Sequence, residues 1–104
     1  MKSCLIVDDS SVVRKVARRI LEDIDYVVDE AEDGQEAFDK CRQEMPDAIL
    51  LDWQMPVMGG LEFLKGVRAN PQHAKTPILM VTTRSVKEDI MQAVEAGVSG
   101  YILK

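Results

Sequence analysis

Short apolar runs alternate along the chain with segments in which apolar residues recur three and four positions apart. The compact runs predict strands, and the periodic segments predict amphipathic helices. The predicted strands span residues 4–7, 26–31, 48–51, 77–81 and 99–103. The predicted helices span residues 12–24, 34–45, 61–70 and 86–94.

Polar residues at the helix ends support these boundaries. Ser10 or Ser11 can cap the first helix, because each places a hydroxyl just ahead of the periodic segment. Asp33, with a glutamate three residues later, resembles a capping box, and Ser85 begins a second possible one. Gly97 suits the position just past the end of the fourth helix.

The alternation of strand and helix predicts an α/β fold with one domain over residues 1–104. The strands are apolar on both faces, which is typical of a parallel sheet covered by helices on both sides. We therefore expect a doubly wound five-stranded sheet. Our working hypothesis for its strand order is the flavodoxin-like order 2-1-3-4-5.

Polar residues follow four of the five predicted strands. They are Asp8, Asp9, Asp52, Thr82 and Lys104. In doubly wound sheets, ligands bind beyond the carboxyl ends of the strands, where the strand order reverses. Strands one and three are neighbours at that point, so we expect Asp8, Asp9 and Asp52 to lie together.

Three carboxylates in one crevice repel one another unless they are protonated or neutralised by a cation. A hard divalent ion such as Mg²⁺, which takes oxygen ligands, would neutralise them. Lys104 adds a positive charge and Thr82 a hydroxyl, so the crevice suits a phosphoryl group with Asp52 as the nucleophile. Taken singly, these residues also fit roles as loop caps, a terminal charge and a strand-end filler.

Composition and charge narrow the classes of function. The 104 residues are 46% hydrophobic and 30% charged, with a net charge of −5 and no basic stripe, which argues against nucleic-acid binding. No apolar stretch approaches the length of a membrane span. Cys4 and Cys41 lack a CxxC spacing and predict reduced thiols in a cytoplasmic protein. His73 is the only histidine, which argues against a histidine-based metal site or triad.

Four segments carry a family resemblance, in the order LIVDDS, ILLDWQMPVMGG, MVTT and GYILK. They resemble the receiver domain of two-component response regulators, most of all single-domain chemotaxis regulators of the CheY type. The resemblance covers the whole chain and implies the CheY-like doubly wound fold. It also implies a phosphoacceptor switch that catalyses only its own phosphotransfer and dephosphorylation, and is not an enzyme in the ordinary sense.

The resemblance implies a metal site and a phosphorylation site. Asp52 matches the aspartate that accepts a phosphoryl group. The acidic pair Asp8 and Asp9 joins Asp52 and the main-chain carbonyl of Gln54 in binding Mg²⁺. Gln54 and Arg84 occupy positions that modulate how readily water reaches the acyl phosphate.

The resemblance also implies how the signal spreads. Thr82 matches the switch hydroxyl that engages the phosphoryl group, and Lys104 matches the lysine that contacts it. Tyr101 matches the aromatic whose rotamer follows, which couples the site to a surface on the fourth helix and fifth strand. The implied partners are a sensor histidine kinase or phosphotransfer protein and a downstream target. Chemotaxis and other phosphorelays would look alike, and Trp53 is a natural fluorescence reporter beside Asp52.

The sequence departs from the family pattern after Lys104. Receivers usually continue with a proline and a fifth helix, which shares one face of the sheet with the first helix. With the final helix missing, we expect an open apolar face, lower stability and a possible homodimer through that face. A truncated sequence, a further tail or a second chain would each explain the departure. We also expect a terminal Lys104 to fray.

Three rival functions remain open. A small phosphohydrolase could form an aspartyl-phosphate on Asp52, but Gln54 stands where its second acid–base carboxylate would be. A flavin binder would need a hydroxyl-rich phosphate loop after strand one, where Asp8 and Asp9 stand instead. A receiver-fold module could also serve protein contacts alone, without phosphorylation.

Overall fold

The computed structural model describes residues 2–83 and 86–104, and within them strands and helices alternate as predicted. The strands are β1 (Ser3–Val7), β2 (Val27–Ala31), β3 (Ala48–Leu51), β4 (Ile78–Thr82) and β5 (Gly100–Leu103). The helices are α1 (Ser11–Asp23), α2 (Gly34–Gln43), α3 (Gly60–Arg68) and α4 (Lys87–Glu95), with a short 3₁₀ helix at Pro71–His73.

All strand pairs are parallel, and their order in the sheet is β2-β1-β3-β4-β5. The predicted fold class and strand order are therefore confirmed. Val7 pairs in register with both Ala31 and Leu51, so β1, β2 and β3 end at one level. The residues that follow these strands emerge side by side, which is what builds the site.

One side of the sheet carries the main core. Side chains of α2, α3 and α4 pack there against alternate strand residues, in a buried cluster that includes Leu5, Leu51, Met80, Phe63 and Ala93. The period of two along each strand explains why residues two apart share this face.

The other side of the sheet carries α1, and it is only partly covered. Val13 and Ala17 of α1 line a small cavity with Ile6, Leu50 and Val81 of the sheet. Further apolar side chains of α1, of the residue that caps its C-terminus and of β5 are exposed, namely Val12, Val16, Ile20, Ile24 and Ile102. In the described residues this face is apolar and open, as the sequence led us to expect.

The helix caps match the sequence at two of the predicted positions. The Ser10 hydroxyl accepts from the Val13 N–H, and the Asp33 carboxylate accepts from the Glu36 N–H. In a capping box the glutamate would accept from the N–H of the cap residue itself, Asp33. Here the Glu36 carboxylate accepts instead from the N–H of the preceding residue, Glu32.

The fourth helix differs from its prediction in its cap and in its buried face, whereas the glycine after it agrees with the prediction. The predicted cap at Ser85 lies outside the described residues, and α4 begins after Val86, which makes no side-chain cap. Helical spacing places Val86, Ala93 and Val94 together on the apolar face of the fourth helix, but the two valines are exposed and Ala93 is buried. Gly97 has φ of 95°, the left-handed conformation expected just past a helix end.

The two cysteines are buried and free. Burial raises the pKa of each thiol to about 11, so both are poor nucleophiles at neutral pH. Among the described residues, no helix is both long enough and apolar enough to span a bilayer.

Candidate functional site

The acidic residues meet at the carboxyl ends of β1 and β3. Their backbones continue the sheet pairing, since the Asp52 N–H donates to the Val7 carbonyl at 2.9 Å and the Asp8 N–H donates to the Ala31 carbonyl at 3.1 Å. One carboxylate oxygen from each of Asp8, Asp9 and Asp52 lies within 4.8 Å of the others. The structure thus brings together three residues that are up to 44 positions apart.

The three carboxylates differ in exposure. Asp8 and Asp52 are only 3% and 9% exposed, whereas Asp9 is open to solvent. Burial raises the pKa of the Asp52 carboxyl, and the negative charge of Asp8 raises it further. The Lys104 charge and hydrogen bonds from the Trp53 N–H and the Thr82 hydroxyl oppose this rise. Among the described residues, the negative charge of the crevice therefore exceeds what its donors balance.

In the part of the chain that the structure describes, Lys104 is the cation of the crevice. Its Nζ lies 2.8 Å from Asp8 Oδ2 and 3.6 Å from Asp52 Oδ1. Burial lowers the pKa of the Lys104 ammonium, but its bonds to Asp8 and its attraction to Asp52 outweigh burial and raise the pKa. The Lys104 N–H also donates to the Thr82 carbonyl at 2.9 Å. Both the backbone and the side chain of Lys104 are therefore bonded to the crevice.

Thr82 and Tyr101 lie on adjacent strands on the same face of the sheet. Thr82 ends β4, is buried, and bonds the Asp52 carboxylate. In the register of β4 and β5, Tyr101 pairs with Met80, two residues before Thr82. Tyr101 is partly buried and packs against the main core. A path of side chains thus runs from the crevice towards β5.

The loop after β3 fits closely around Asp52. The Trp53 N–H donates to Asp52 Oδ1 at 2.8 Å, and the Gly60 N–H donates to the Trp53 carbonyl at 2.8 Å. A Cβ on Gly60 would stand 1.9 Å from the Asp52 carbonyl oxygen, so a glycine is required there. Gln54 lies in this loop with its side chain exposed. Arg84, the other predicted modulating residue, lies outside the described residues.

The donor set suits a hard divalent cation. It offers carboxylate oxygens, which Mg²⁺ and Mn²⁺ prefer to soft ligands, and the exposed Asp9 leaves room for water in the coordination shell. Within the described ranges, three carboxylates face one lysine, which also leaves charge for a cation to neutralise. The residues present therefore fit the metal that the sequence predicts.

Sequence reasoning missed one contact in this region. Helical periodicity places Arg14 on the polar, solvent-facing side of α1, yet its Nη1 donates to the Asp8 carbonyl at 2.8 Å. Its Nε donates to Glu30 on β2 at 2.9 Å. An arginine six residues after Asp8 is a weak signal by itself, because only the fold shows that Glu30 lies next to it.

Comparisons with known proteins agree with this geometry. The profile of a family described as "Response regulator receiver domain" matches residues 4–104. The chain is 39% identical over 101 residues to the chemotaxis protein CheY-3 of Vibrio cholerae, covering 96% of this chain and 78% of that protein.

Solved structures show the same fold. The chemotaxis response regulator CheY4 of Vibrio cholerae superposes with a TM-score of 0.94 at 40% identity, covering 100% of this chain and 87% of that one. The Mn²⁺-bound form of response regulator Rcp1 superposes with a TM-score of 0.93 at 27% identity, covering 100% of this chain and 81% of that one.

Proposed function

The chain belongs to the response regulator receiver domain family of two-component systems, and from this premise we propose that it is a switch controlled by phosphorylation of Asp52. Members of this family are regulators rather than classical enzymes. The observation that carries the proposal is the convergence of Asp8, Asp9, Asp52, Thr82 and Lys104 in one crevice.

In the proposed reaction, an Asp52 carboxylate oxygen attacks the phosphorus of a phosphohistidine on a sensor kinase or phosphotransfer protein. A new P–O bond forms as the P–N bond breaks, and the imidazole keeps the electron pair of that bond. Asp52 must be ionised to attack, which the Lys104 charge and the Thr82 and Trp53 donors favour.

Asp8, Asp9 and Asp52, with the Gln54 carbonyl, would hold a divalent cation such as Mg²⁺. The cation would supply neutralising charge for the phosphoryl oxygens. Response regulator Rcp1, which has the same fold, has been solved in an Mn²⁺-bound form, and this supports a divalent ion in the present chain.

Phosphorylation would redistribute the donors of the crevice. It adds about two negative charges and new acceptor oxygens beyond the end of β3. Lys104 now lies nearer to Asp8 than to Asp52 and would be drawn towards the phosphoryl group, as would the Thr82 hydroxyl. Movement of Thr82 would give Tyr101 room to turn inward, changing the surface of α4 and β5.

That surface suits a downstream protein partner. Met91 and Val94 on α4 and Leu103 on β5 are exposed apolar side chains, and Leu103 pairs with Thr82, on the face of the sheet that carries Tyr101. We propose that a target protein binds this surface after phosphorylation. The proposed location is the cytoplasm, where the kinase partner is expected. Similarity to CheY-3 favours chemotaxis as the pathway.

Intact-mass spectrometry tests the proposal. The chain is incubated with Mg²⁺ and a small phosphodonor such as acetyl phosphate, beside the variant Asp52→Asn. We expect the parent alone to gain the mass of one phosphoryl group, and hydroxylamine to remove it as it does an acyl phosphate. Equal labelling of Asp52→Asn, or no labelling of a folded parent, would overturn the proposal.

A further inference from the structure

Arg14 connects α1 to the acidic turn from outside the crevice. Its side chain is only 13% exposed, which is low for an arginine on a helix in a small domain. One edge of the guanidinium bonds Glu30 Oε1 at 2.9 Å, and another nitrogen bonds the Asp8 main-chain carbonyl at 2.8 Å. The two bonds come from different nitrogens of one planar guanidinium group, a rigid arrangement of donors that lysine lacks.

The bonded carbonyl belongs to the peptide that joins Asp8 to Asp9. The Asp8 N–H is held by Ala31 at 3.1 Å, and Asp8 Oδ1 accepts from the Ser10 N–H at 2.9 Å. With its carbonyl also fixed by Arg14, the Asp8–Asp9 peptide has little freedom to rotate. The orientation of this peptide sets the direction in which the exposed Asp9 carboxylate leaves the backbone.

Glu30 keeps Arg14 in place. It lies on β2, in register with Ile6 of β1, on the side of the sheet that α1 covers. Its second carboxylate oxygen bonds Arg18 Nε at 2.7 Å. Arg14 and Arg18 therefore share one carboxylate, but the only described bond to Asp8 from this pair comes from Arg14.

We infer that Arg14 is a positioning residue for the divalent-cation site, holding the Asp8–Asp9 turn in the conformation that lets both carboxylates face Asp52. This inference rests on the proposed function, since it requires that the three carboxylates bind a cation. The described bonds of Arg14 go to Glu30 and to the Asp8 main-chain carbonyl, and not to the three carboxylates of the crevice. Arg14 acts through the main chain, as partners behind metal ligands commonly do.

The sign of the effect separates positioning from charge. Arg14 is positive, so removing its charge alone would strengthen the attraction of the carboxylates for a cation. Losing the bond to the Asp8 carbonyl would instead free the turn and weaken cation binding. A weaker affinity after neutralising Arg14 therefore cannot come from long-range electrostatics.

The test is a Mg²⁺ titration of the parent, Arg14→Gln and the matched control Arg18→Gln. Trp53 fluorescence and calorimetry detect the binding. We expect Arg14→Gln to bind Mg²⁺ about tenfold more weakly, the lower end of the usual effect of such partners. Arg18→Gln also loses a positive charge paired with Glu30, and we expect its affinity to equal or exceed that of the parent.

A second variant and a metal-free measurement complete the test. We expect Arg14→Lys to remain weakened, because an ammonium lacks the fork that reaches Glu30 and Asp8 together. In metal-free protein, the carbonyl ¹³C shift of Asp8 should move in both Arg14 variants and stay unchanged in Arg18→Gln.

The outcomes distinguish this inference from the proposed function. If the parent binds Mg²⁺ and the folded Arg14→Gln variant binds it with the same or a tighter affinity, the inference is overturned and the proposed function is left intact. Equal weakening in both glutamine variants would also overturn it, because the effect would then be general. A folded parent that binds no Mg²⁺ would overturn both.

Discussion

Asp52 carries a charge that the metal-free fold does not fully balance. Its carboxyl is buried beside Asp8, and the nearest cation among the described residues, Lys104, lies closer to Asp8 than to Asp52. Burial and the Asp8 charge raise the pKa of Asp52 above its ordinary value of 3.8. An ionised Asp52 therefore destabilises the folded state relative to the unfolded chain.

Replacing Asp52 by Asn should stabilise the metal-free protein at pH 7, because it removes a buried negative charge that lies beside Asp8. The folded pKa lies above the unfolded one, so the penalty is complete above the folded pKa and disappears as the pH falls towards 3.8. The stability that Asp52→Asn gains over the parent should therefore shrink over the same pH range. Urea unfolding of both proteins in EDTA across this pH range measures it.

Mg²⁺ provides the control for this prediction. A cation that binds only the folded state stabilises it, so adding Mg²⁺ should raise the stability of the parent more than that of Asp52→Asn. A metal-free Asp52→Asn that is less stable than the parent at pH 7 would contradict the account of the crevice.

At the scale of elements, α1 and β5 leave an apolar face open in the described residues. Ile20 on α1 is 61% exposed, and Val94 on α4, on the opposite side of the sheet, is equally exposed at 61%. Contiguous exposed apolar surface favours association, whereas single exposed side chains do not. We therefore propose that the 104-residue chain forms a homodimer through the α1 side.

Sedimentation velocity over a range of concentrations tests this dimer. The parent should sediment faster as its concentration rises, Ile20→Ser should shift towards the monomer, and the matched control Val94→Ser should behave as the parent does. A parent that stays monomeric throughout and melts at a high temperature would count against both the dimer and the expected low stability.

At the scale of the whole molecule, periodicity predicted the α/β class and the parallel sheet, but it did not by itself select the strand order. Alternating strands and helices with strands apolar on both faces left few possible windings, and the strand order placed Asp8, Asp9 and Asp52 together. The site was predictable because strand ends are marked in the sequence by the change from apolar to polar residues, as at Leu51 and Asp52.

The contacts that the sequence did not reveal join distant segments through long side chains. Arg14 reaches Glu30, and Arg68 of α3 donates to the carbonyls of His73 and Gly97 at 2.9 and 2.8 Å. Helical periodicity assigns such arginines to the solvent face, because it registers the charge of a side chain and not its reach. Which carbonyl a guanidinium meets depends on packing between elements.

The central claim is that the crevice binds a divalent cation and accepts a phosphoryl group on Asp52. Trp53 reports on it directly, because its N–H bonds Asp52 Oδ1 and its side chain packs against the core. The measurement is Trp53 fluorescence of the parent and Asp52→Asn during titration with Mg²⁺ and then with a small phosphodonor. We predict a Mg²⁺-dependent change that deepens with phosphodonor in the parent alone; a folded parent that responds to neither would contradict the mechanism.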